Sequence, residues 1–190
     1  MPKGINPEFF YKVWMLILPF VNKKHNIYPG LRKILDSPNP QIDVSRLIPV
    51  RNKLWENPEL IDEFVDLHNE DTPLEIISTL LGWRNYFVKD RFVILKHYVD
   101  YSTFMGKGKN ESDGSFIYKV SGISNPIEES IPFATLPQMV EAVLLPFQGK
   151  IIFDSFLIVN SIDFGPNIRK RFREDAKRLK LANRVKSRLP

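Results

Sequence analysis

The C-terminal segment holds the residues whose type and spacing best suit a chemical role. Residues 167–190 contain ten lysines and arginines but only two acidic residues, Glu174 and Asp175, a net charge of +8. The whole chain carries +5, so the remaining residues together carry −3 and the positive charge is local. Clustered cations on a helix can neutralise phosphates and release their counterions. The candidate binding residues are Arg169, Lys170, Arg171, Arg173, Lys177, Arg178, Lys180, Arg184, Lys186 and Arg188.

An acidic segment of the same chain offers this charge a different partner. Residues 57–75 hold seven acidic side chains and no lysine or arginine. They could meet the basic segment inside one molecule or across a homodimer, and both charges would then be satisfied without nucleic acid. The sequence therefore leaves three partners open: nucleic acid, an acidic protein surface, and the chain's own acidic segment. A membrane surface is disfavoured because the apolar stripe of the basic segment lacks a tryptophan anchor.

Asp154 is the second candidate, as the one acidic residue in the apolar run 143–159. Strand alternation leaves both faces of residues 150–159 mostly apolar, which predicts a central strand covered on both sides. A carboxylate there must be paired or hydrogen-bonded, because an unpaired buried charge is costly. Lys150, Arg84 or an arginine of the C-terminal segment could supply the partner. This structural role is favoured over a catalytic one, in which Asp154 would act with a neighbouring arginine or His97.

Other chemistry finds little support in the sequence. Cysteine is absent, which excludes disulfides, thiolate zinc sites and a cysteine nucleophile. His25, His68 and His97 lie far apart without an i, i+4 partner, so we predict no metal site and no cofactor. No nucleophile elbow is present. The loop "GKGKNESDG" lacks the Gly-Lys-Ser/Thr ending of a phosphate loop, and we expect a hairpin connection there.

The elements that must position these residues change character along the chain. In the first half, Asn6-Pro7 and Asn57-Pro58 are typical of helix starts, and Thr72 with Glu75 has capping-box spacing. A further helix is expected over residues 45–55, although Pro49 interrupts it. Trp14, Trp55 and Trp83 each lie within an apolar helical pattern, which predicts core packing.

The second half is rich in β-branched and aromatic residues. Residues 91–105 and 116–123 predict strands, and Gln148-Gly149 predicts the turn of an antiparallel hairpin. After Gly165-Pro166, Asn167 can cap a helix that runs to about residue 188. Its expected apolar stripe is Ile168, Phe172, Ala176, Leu179, Ala182, Val185 and Leu189.

These elements predict a single α+β domain of three parts. Residues 1–88 form a mainly helical lobe, 89–165 an antiparallel sheet of about four strands, and 166–190 a basic C-terminal helix. The N-terminus lacks the features of a signal peptide, and its longest apolar stretch is nine residues. A membrane span needs about 20 residues, so we expect a cytoplasmic protein without a membrane segment.

The stretch "LLPFQGKIIFD", followed by "NIRKRF", resembles an uncharacterised family of small bacterial cytosolic proteins. The resemblance is concentrated in residues 137–175, and it rests on an LLPF-x-x-KII-x-D hairpin and a basic helix. Asp154 matches the acidic position of the hairpin. Some members carry a cysteine-rich SEC-C module, but this chain has no cysteine, so that module and its zinc do not carry over. The family implies no activity.

Taken together, these features favour a non-enzymatic binding protein whose basic helix contacts nucleic acid or an acidic protein surface. The alternative is an enzyme with a pocket between the helical lobe and the sheet, using Asp154.

Overall fold

The computed structural model describes residues 4–38 and 41–190. Its contacts divide the chain into two units. The first is a helical unit, Glu8–Asn85, and the second is a barrel unit that joins the described residues up to Pro7 with Tyr86–Pro190. The change from helix to sheet thus falls a few residues from the expected position between residues 88 and 89.

The helical unit is built from five helices. They are α1 (Pro7–His25), α2 (Leu31–Leu35), α3 (Val44–Glu56), α4 (Leu60–His68) and α5 (Leu74–Tyr86). Helix α1 begins at Pro7, as predicted, and α3 continues through Pro49. Asn57 was expected to cap α4, but it ends α3 instead, where its backbone and side-chain N–H groups donate to Lys53 O. The final carbonyls of α3 need donors, and Asn57 supplies them.

The core of the helical unit is aromatic. Trp14, Trp55 and Trp83 are all buried, which confirms the prediction for each of them. The ring of Trp14 lies 6.0 Å from Trp55 and 5.7 Å from Trp83, and Phe10 lies 5.6 Å from Trp83. Aromatic pairs at these distances add to the free energy gained by burial. Among the helices described, none combines the length and apolar character needed to cross a bilayer.

The barrel unit contains seven strands and one long helix. The strands are β1 (Val88–His97), β2 (Ser102–Lys107), β3 (Ser115–Ser121), β4 (Gln138–Phe147), β5 (Lys150–Phe153), β6 (Ile158–Asn160) and β7 (Val185–Lys186). Helix α6 spans Pro166–Leu181, and short 3-10 turns lie at Glu111–Asp113, Ile127–Glu129 and Phe133–Thr135. The mixture of helix and sheet confirms the α+β class, but the expectation of about four strands is wrong.

Two local breaks account for most of the extra strands. Residues 91–105 divide into β1 and β2 because Tyr98 N–H donates to Tyr101 O and reverses the chain. Residues 150–159 divide into β5 and β6 at Ser155, whose φ of 72° lies in the left-handed region, outside strand geometry. The expected single central strand is therefore wrong, and Asp154 lies between two strands.

Five of the strands form a closed ring. β1 pairs with β2, β2 with β3, β3 with β5, β5 with β4, and β4 returns to β1. Four of these pairings are antiparallel, whereas β3 and β5 run parallel. A second parallel pairing joins β3 to β7, so the sheet is mixed and not purely antiparallel as expected. The interior is filled by alternate residues of the strands, among them Phe92, Phe104, Tyr118, Val140 and Ile151.

Helix α6 is shorter than predicted. It ends at Leu181 because Asn183 adopts a left-handed φ of 54°. Arg184 N–H donates to Leu179 O and Asn183 N–H donates to Lys180 O, the two bonds of a Schellman motif. The chain then continues extended as β7, so Arg184, Lys186 and Arg188 lie outside the helix.

Candidate functional site

Helix α6 packs on the barrel unit through part of its expected apolar stripe. Leu179 is buried, Phe172 and Ala176 are half-buried, and the Phe172 ring meets Phe164 edge-on at 5.0 Å. Ile168 and Ala182, which were expected to belong to the stripe, are exposed. The contact therefore involves one side of the helix and leaves the opposite side to solvent.

Arg169 fixes the start of α6. Its guanidinium donates to Phe164 O at 2.6 Å, to Leu136 O at 3.1 Å and to the Asp163 carboxylate at 3.2 Å. Arginine presents five N–H donors in a rigid planar group, which suits a site with several acceptors. Arg169 thus joins the helix to the segments before it and before β4.

Arg184 and Lys186 hold the end of the chain against β3. The Arg184 guanidinium donates to Ser115 O at 2.7 Å and to Asp113 O, and its carbon lies 4.1 Å from the centre of the Phe116 ring. The Lys186 ammonium also lies 4.1 Å from that ring centre. Both cations therefore make contacts that join β7 to the rest of the barrel unit.

Three further cations have acidic neighbours on the helix itself. Arg178 and Arg171 pair with Asp175 at 2.9 and 4.0 Å, and Lys170 approaches Glu174 at 3.9 Å. The four-residue and three-residue spacings place these partners on adjacent turns. Pairs this exposed contribute little free energy, so a stronger partner can replace them.

The outward side of α6 carries a row of four cations. Lys170, Arg173, Lys177 and Lys180 follow one another at spacings of three, four and three residues, which places them on one face of a helix. All four are exposed. Within the described ranges 4–38 and 41–190, Arg173, Lys177 and Lys180 form no ion pair, and neither does the exposed Arg188. We call Lys170, Arg173, Lys177 and Lys180 the basic row.

A cleft of about 350 Å³ lies between α6 and strands β1–β3. Arg91, Lys107 and Arg178 bring positive charge to it, and Asp90 and Asp175 bring negative charge. The Asp90 carboxylate accepts the Lys107 backbone N–H at 2.6 Å, which ties β1 to β2 at this end. The sequence gave no reason to choose Lys107, because the "GKGK" stretch reads as a loop until its pairing with β3 is known.

The acidic segment forms ion pairs within the helical unit. Asp62 pairs with Arg84 at 2.8 Å, and Glu63 pairs with Lys24. Arg84 was considered as a partner for Asp154, but its guanidinium binds Asp62. Two of the seven acidic side chains of residues 57–75 thus have partners from their own unit.

Asp154 is fully buried in the barrel unit. Its backbone N–H donates to Val143 O at 3.0 Å. Among the described residues, every buried side-chain nitrogen or oxygen has a hydrogen-bond partner, and the Asp154 carboxylate is one of these groups. This agrees with the structural role predicted for it, since a buried carboxylate needs such partners.

His97 is also buried, with both ring nitrogens in use. Nδ1 lies 2.6 Å from Ser102 Oγ and Nε2 lies 2.7 Å from Ile131 O. A carbonyl can only accept, so Nε2 carries the proton and Nδ1 accepts from the serine hydroxyl. Burial lowers the pKa of His97 below its ordinary value, and the neighbouring Ile131 carbonyl and Glu128 partly oppose that shift.

The strand register separates the two catalytic candidates. Asp154 bonds to Val143, which pairs with Lys89 at the start of β1. His97 lies eight residues farther along β1, which corresponds to roughly 25 Å of strand. The structure therefore does not bring Asp154 and His97 into one site. In the described part of the chain, no group of three His, Asp or Glu side chains is arranged to hold a metal ion.

Comparisons with known proteins leave the interpretation to these residues. The chain matches no family model, no curated protein and no solved structure. The resemblance of the β4–β5 hairpin to a bacterial family thus stays a prediction.

Proposed function

We propose that this protein binds nucleic acid through its phosphate backbone, with the basic row of α6 as the principal contact. The observation that carries the proposal is the exposure of four cations on one face, three of which form no ion pair among the described residues. The acidic residues next to the row are engaged on its flank, where Asp175 pairs with Arg171 and Arg178.

The dimensions of the row suit a run of phosphates. Ten residues separate Lys170 from Lys180, which corresponds to about 15 Å along a helix. Neighbouring members are about 4.5 to 6 Å apart along the axis, so several phosphates of one strand can be neutralised together. Contacts of this kind position the nucleic acid without reading its sequence.

The architecture of the barrel unit also supports the proposal. Five strands closed in the order β1-β2-β3-β5-β4 form a Greek-key barrel of the type found in OB-folds, which bind oligonucleotides in many proteins. Helix α6 lies over the outer side of β1–β3, beside the cleft that Arg91 and Lys107 line. The likeness is one of architecture alone, and the function is argued from the charged surface.

The decisive experiment removes the four charges of the row. The variant K170Q/R173Q/K177Q/K180Q should bind fluorescent 20-nucleotide DNA and RNA at least about 100-fold more weakly at 50 mM salt, measured by anisotropy. The slope of log affinity against log salt should become shallower by about 3 to 4, because each lost phosphate contact removes about 0.9 from it. Stability to urea should be unchanged, since the four side chains are exposed.

A charge-matched variant in the helical unit supplies the control. K12Q/K23Q/R32Q/K33Q removes the same number of exposed cations and should keep most of the affinity. Equal losses in both variants would mean that net charge alone attracts the nucleic acid, and the row would have no special role. If neither DNA nor RNA binds but an acidic polypeptide such as polyglutamate does, the partner is an acidic protein surface and the proposal is wrong.

A further inference from the structure

The turn between β1 and β2 carries an aromatic pair whose rings are partly open to solvent. Tyr98 and Tyr101 stack with their ring centres 4.8 Å apart and their planes 24° apart. The turn is closed by the hydrogen bond from Tyr98 N–H to Tyr101 O, at 2.8 Å. Tyr98 is 37% exposed and Val99, at the tip, is 92% exposed. The pair is therefore held in place by a short turn and presented at the surface.

Two lysines flank this pair. The Lys96 ammonium lies 4.9 Å from the centre of the Tyr98 ring, and the Lys119 ammonium lies 5.2 Å from that of Tyr101. Thr103 pairs with both lysines across the strands, so the two cations lie on the same side of the sheet. Aromatic rings combined with nearby cations are the two components of a surface that binds single-stranded nucleic acid.

Strand geometry connects this surface to the cleft beside α6. Ser115 and Lys119 are four residues apart on β3, so their side chains project to the same side of the sheet. Ser115 lines the cleft, together with Lys107 from β2. The distance along the strand is about 13 Å. A nucleic-acid strand can thus run from the basic row, past the cleft, to the tyrosines within the roughly 4–16 nucleotides that a barrel of this type accommodates.

We propose that Tyr98 and Tyr101 stack on bases of single-stranded nucleic acid, so that this protein prefers single strands to duplexes. The inference rests on the proposed function, since the basic row supplies the backbone contact. A base arriving at the Tyr98 ring replaces the Lys96 ammonium, because base stacking on an aromatic ring is stronger than an exposed cation–π contact. The released lysine then pairs with a phosphate next to the stacked base. A duplex keeps its bases stacked internally and gains nothing from the tyrosines.

Asp100 opposes this contact. It is exposed in the same turn, between the two tyrosines in sequence. Its carboxylate repels a phosphate that approaches Lys96 or Lys119. Asp100→Asn should therefore strengthen the binding of a single strand about two- to fivefold.

The test compares a labelled 15-nucleotide oligo-dT with a 15-base-pair duplex, both titrated by anisotropy at the same salt concentration. Tyr98→Ala and Tyr101→Ala should each weaken single-strand binding about tenfold, within the range measured for loss of one stacked base, and leave duplex binding within about twofold. Tyr98→Phe keeps the ring and should bind as the unchanged protein does. Tyr98→Leu keeps an apolar side chain without a π face and should behave as Tyr98→Ala.

The possible results distinguish the two proposals. If neither nucleic acid binds to the unchanged protein, the proposed function fails and the inference fails with it. If both bind and the tyrosine variants bind single strands normally, the basic row keeps its role and the stacking surface is wrong. Equal losses for single strand and duplex would also overturn it. Far-ultraviolet circular dichroism and thermal unfolding check that each variant is folded.

Discussion

The two sides of the C-terminal segment use the same residue types for different purposes. On the side that meets the barrel, Arg169 and Arg184 donate to backbone carbonyl oxygens, and Leu179 is buried beside them. On the outward side, Arg173, Lys177 and Lys180 are exposed and form no ion pair among the described residues. The first group holds the segment in place, and the second leaves its charge available to a partner.

The difference follows from where acceptors lie. A guanidinium that loses water must regain hydrogen bonds, and the ends of strands and helices supply carbonyls that secondary structure leaves unsatisfied. Arg184 meets such groups at Ser115 and Asp113. The outward side faces water, where a lysine keeps its hydration and gains little from a neighbouring carboxylate. Position, and not residue type, therefore separates structural from binding cations.

Leucine substitutions on the two sides give the largest expected contrast. Leu179→Ala should lower the free energy of unfolding by about 2–4 kcal/mol, because it removes a buried side chain and leaves a cavity under the helix. Leu181→Ala, two residues away and 77% exposed, should change it by less than about 0.5 kcal/mol. Urea unfolding measures both. Similar effects of the two changes would mean that α6 does not pack through Leu179.

Arginine and lysine substitutions sharpen the same comparison. Arg184→Ala should lower the free energy of unfolding by about 1.5–3 kcal/mol, since it removes charge-assisted hydrogen bonds to Ser115 O and Asp113 O. Lys180→Ala should leave stability within about 0.5 kcal/mol of the unchanged protein. It should instead weaken nucleic-acid binding and reduce the salt slope by about 0.9. A stable Arg184→Ala protein would contradict the division between anchoring and exposed cations.

The smallest expected effect tests a buried polar group away from α6. Burial lowers the pKa of His97 from its ordinary 6.5, so the unfolded chain binds a proton at pH values where the folded protein keeps this histidine neutral. This contribution is fully present above about pH 6.5 and is lost as the pH falls through the lowered pKa. Unfolding in urea at pH 7.5 and 5.5 should show lower stability at pH 5.5.

His97→Gln should make that difference between the two pH values smaller, whatever its effect on stability at pH 7.5. His25→Gln, on the exposed end of α1, serves as the matched control and should leave the difference unchanged. The carboxylates of Asp43 and Asp113 have pKa values lowered from 3.8, chiefly by hydrogen bonds, so their contributions are lost at more acidic pH. An unchanged difference in His97→Gln would show that another group titrates between pH 5.5 and 7.5.

Local signals in the sequence predicted local features well. The start of α1 at Pro7 followed from a residue that needs no backbone donor there, and the burial of Trp14, Trp55 and Trp83 followed from apolar periodicity. The same reasoning failed at chain reversals made without the usual turn residues. Nothing in "YVDY" signals a turn, and Ser155 is a residue that seldom adopts positive φ.

The sequence by itself determined the α+β class and the concentration of positive charge after residue 166, because both depend on which residues are neighbours along the chain. Tertiary structure decided that five strands close into a ring, that Asp154 and His97 lie far apart, and which cations have carbonyl partners. It also brought Tyr98, Tyr101 and Lys119 together, although Lys119 comes from another strand. Strand register and packing set these distances, and they depend on residues far apart in the chain.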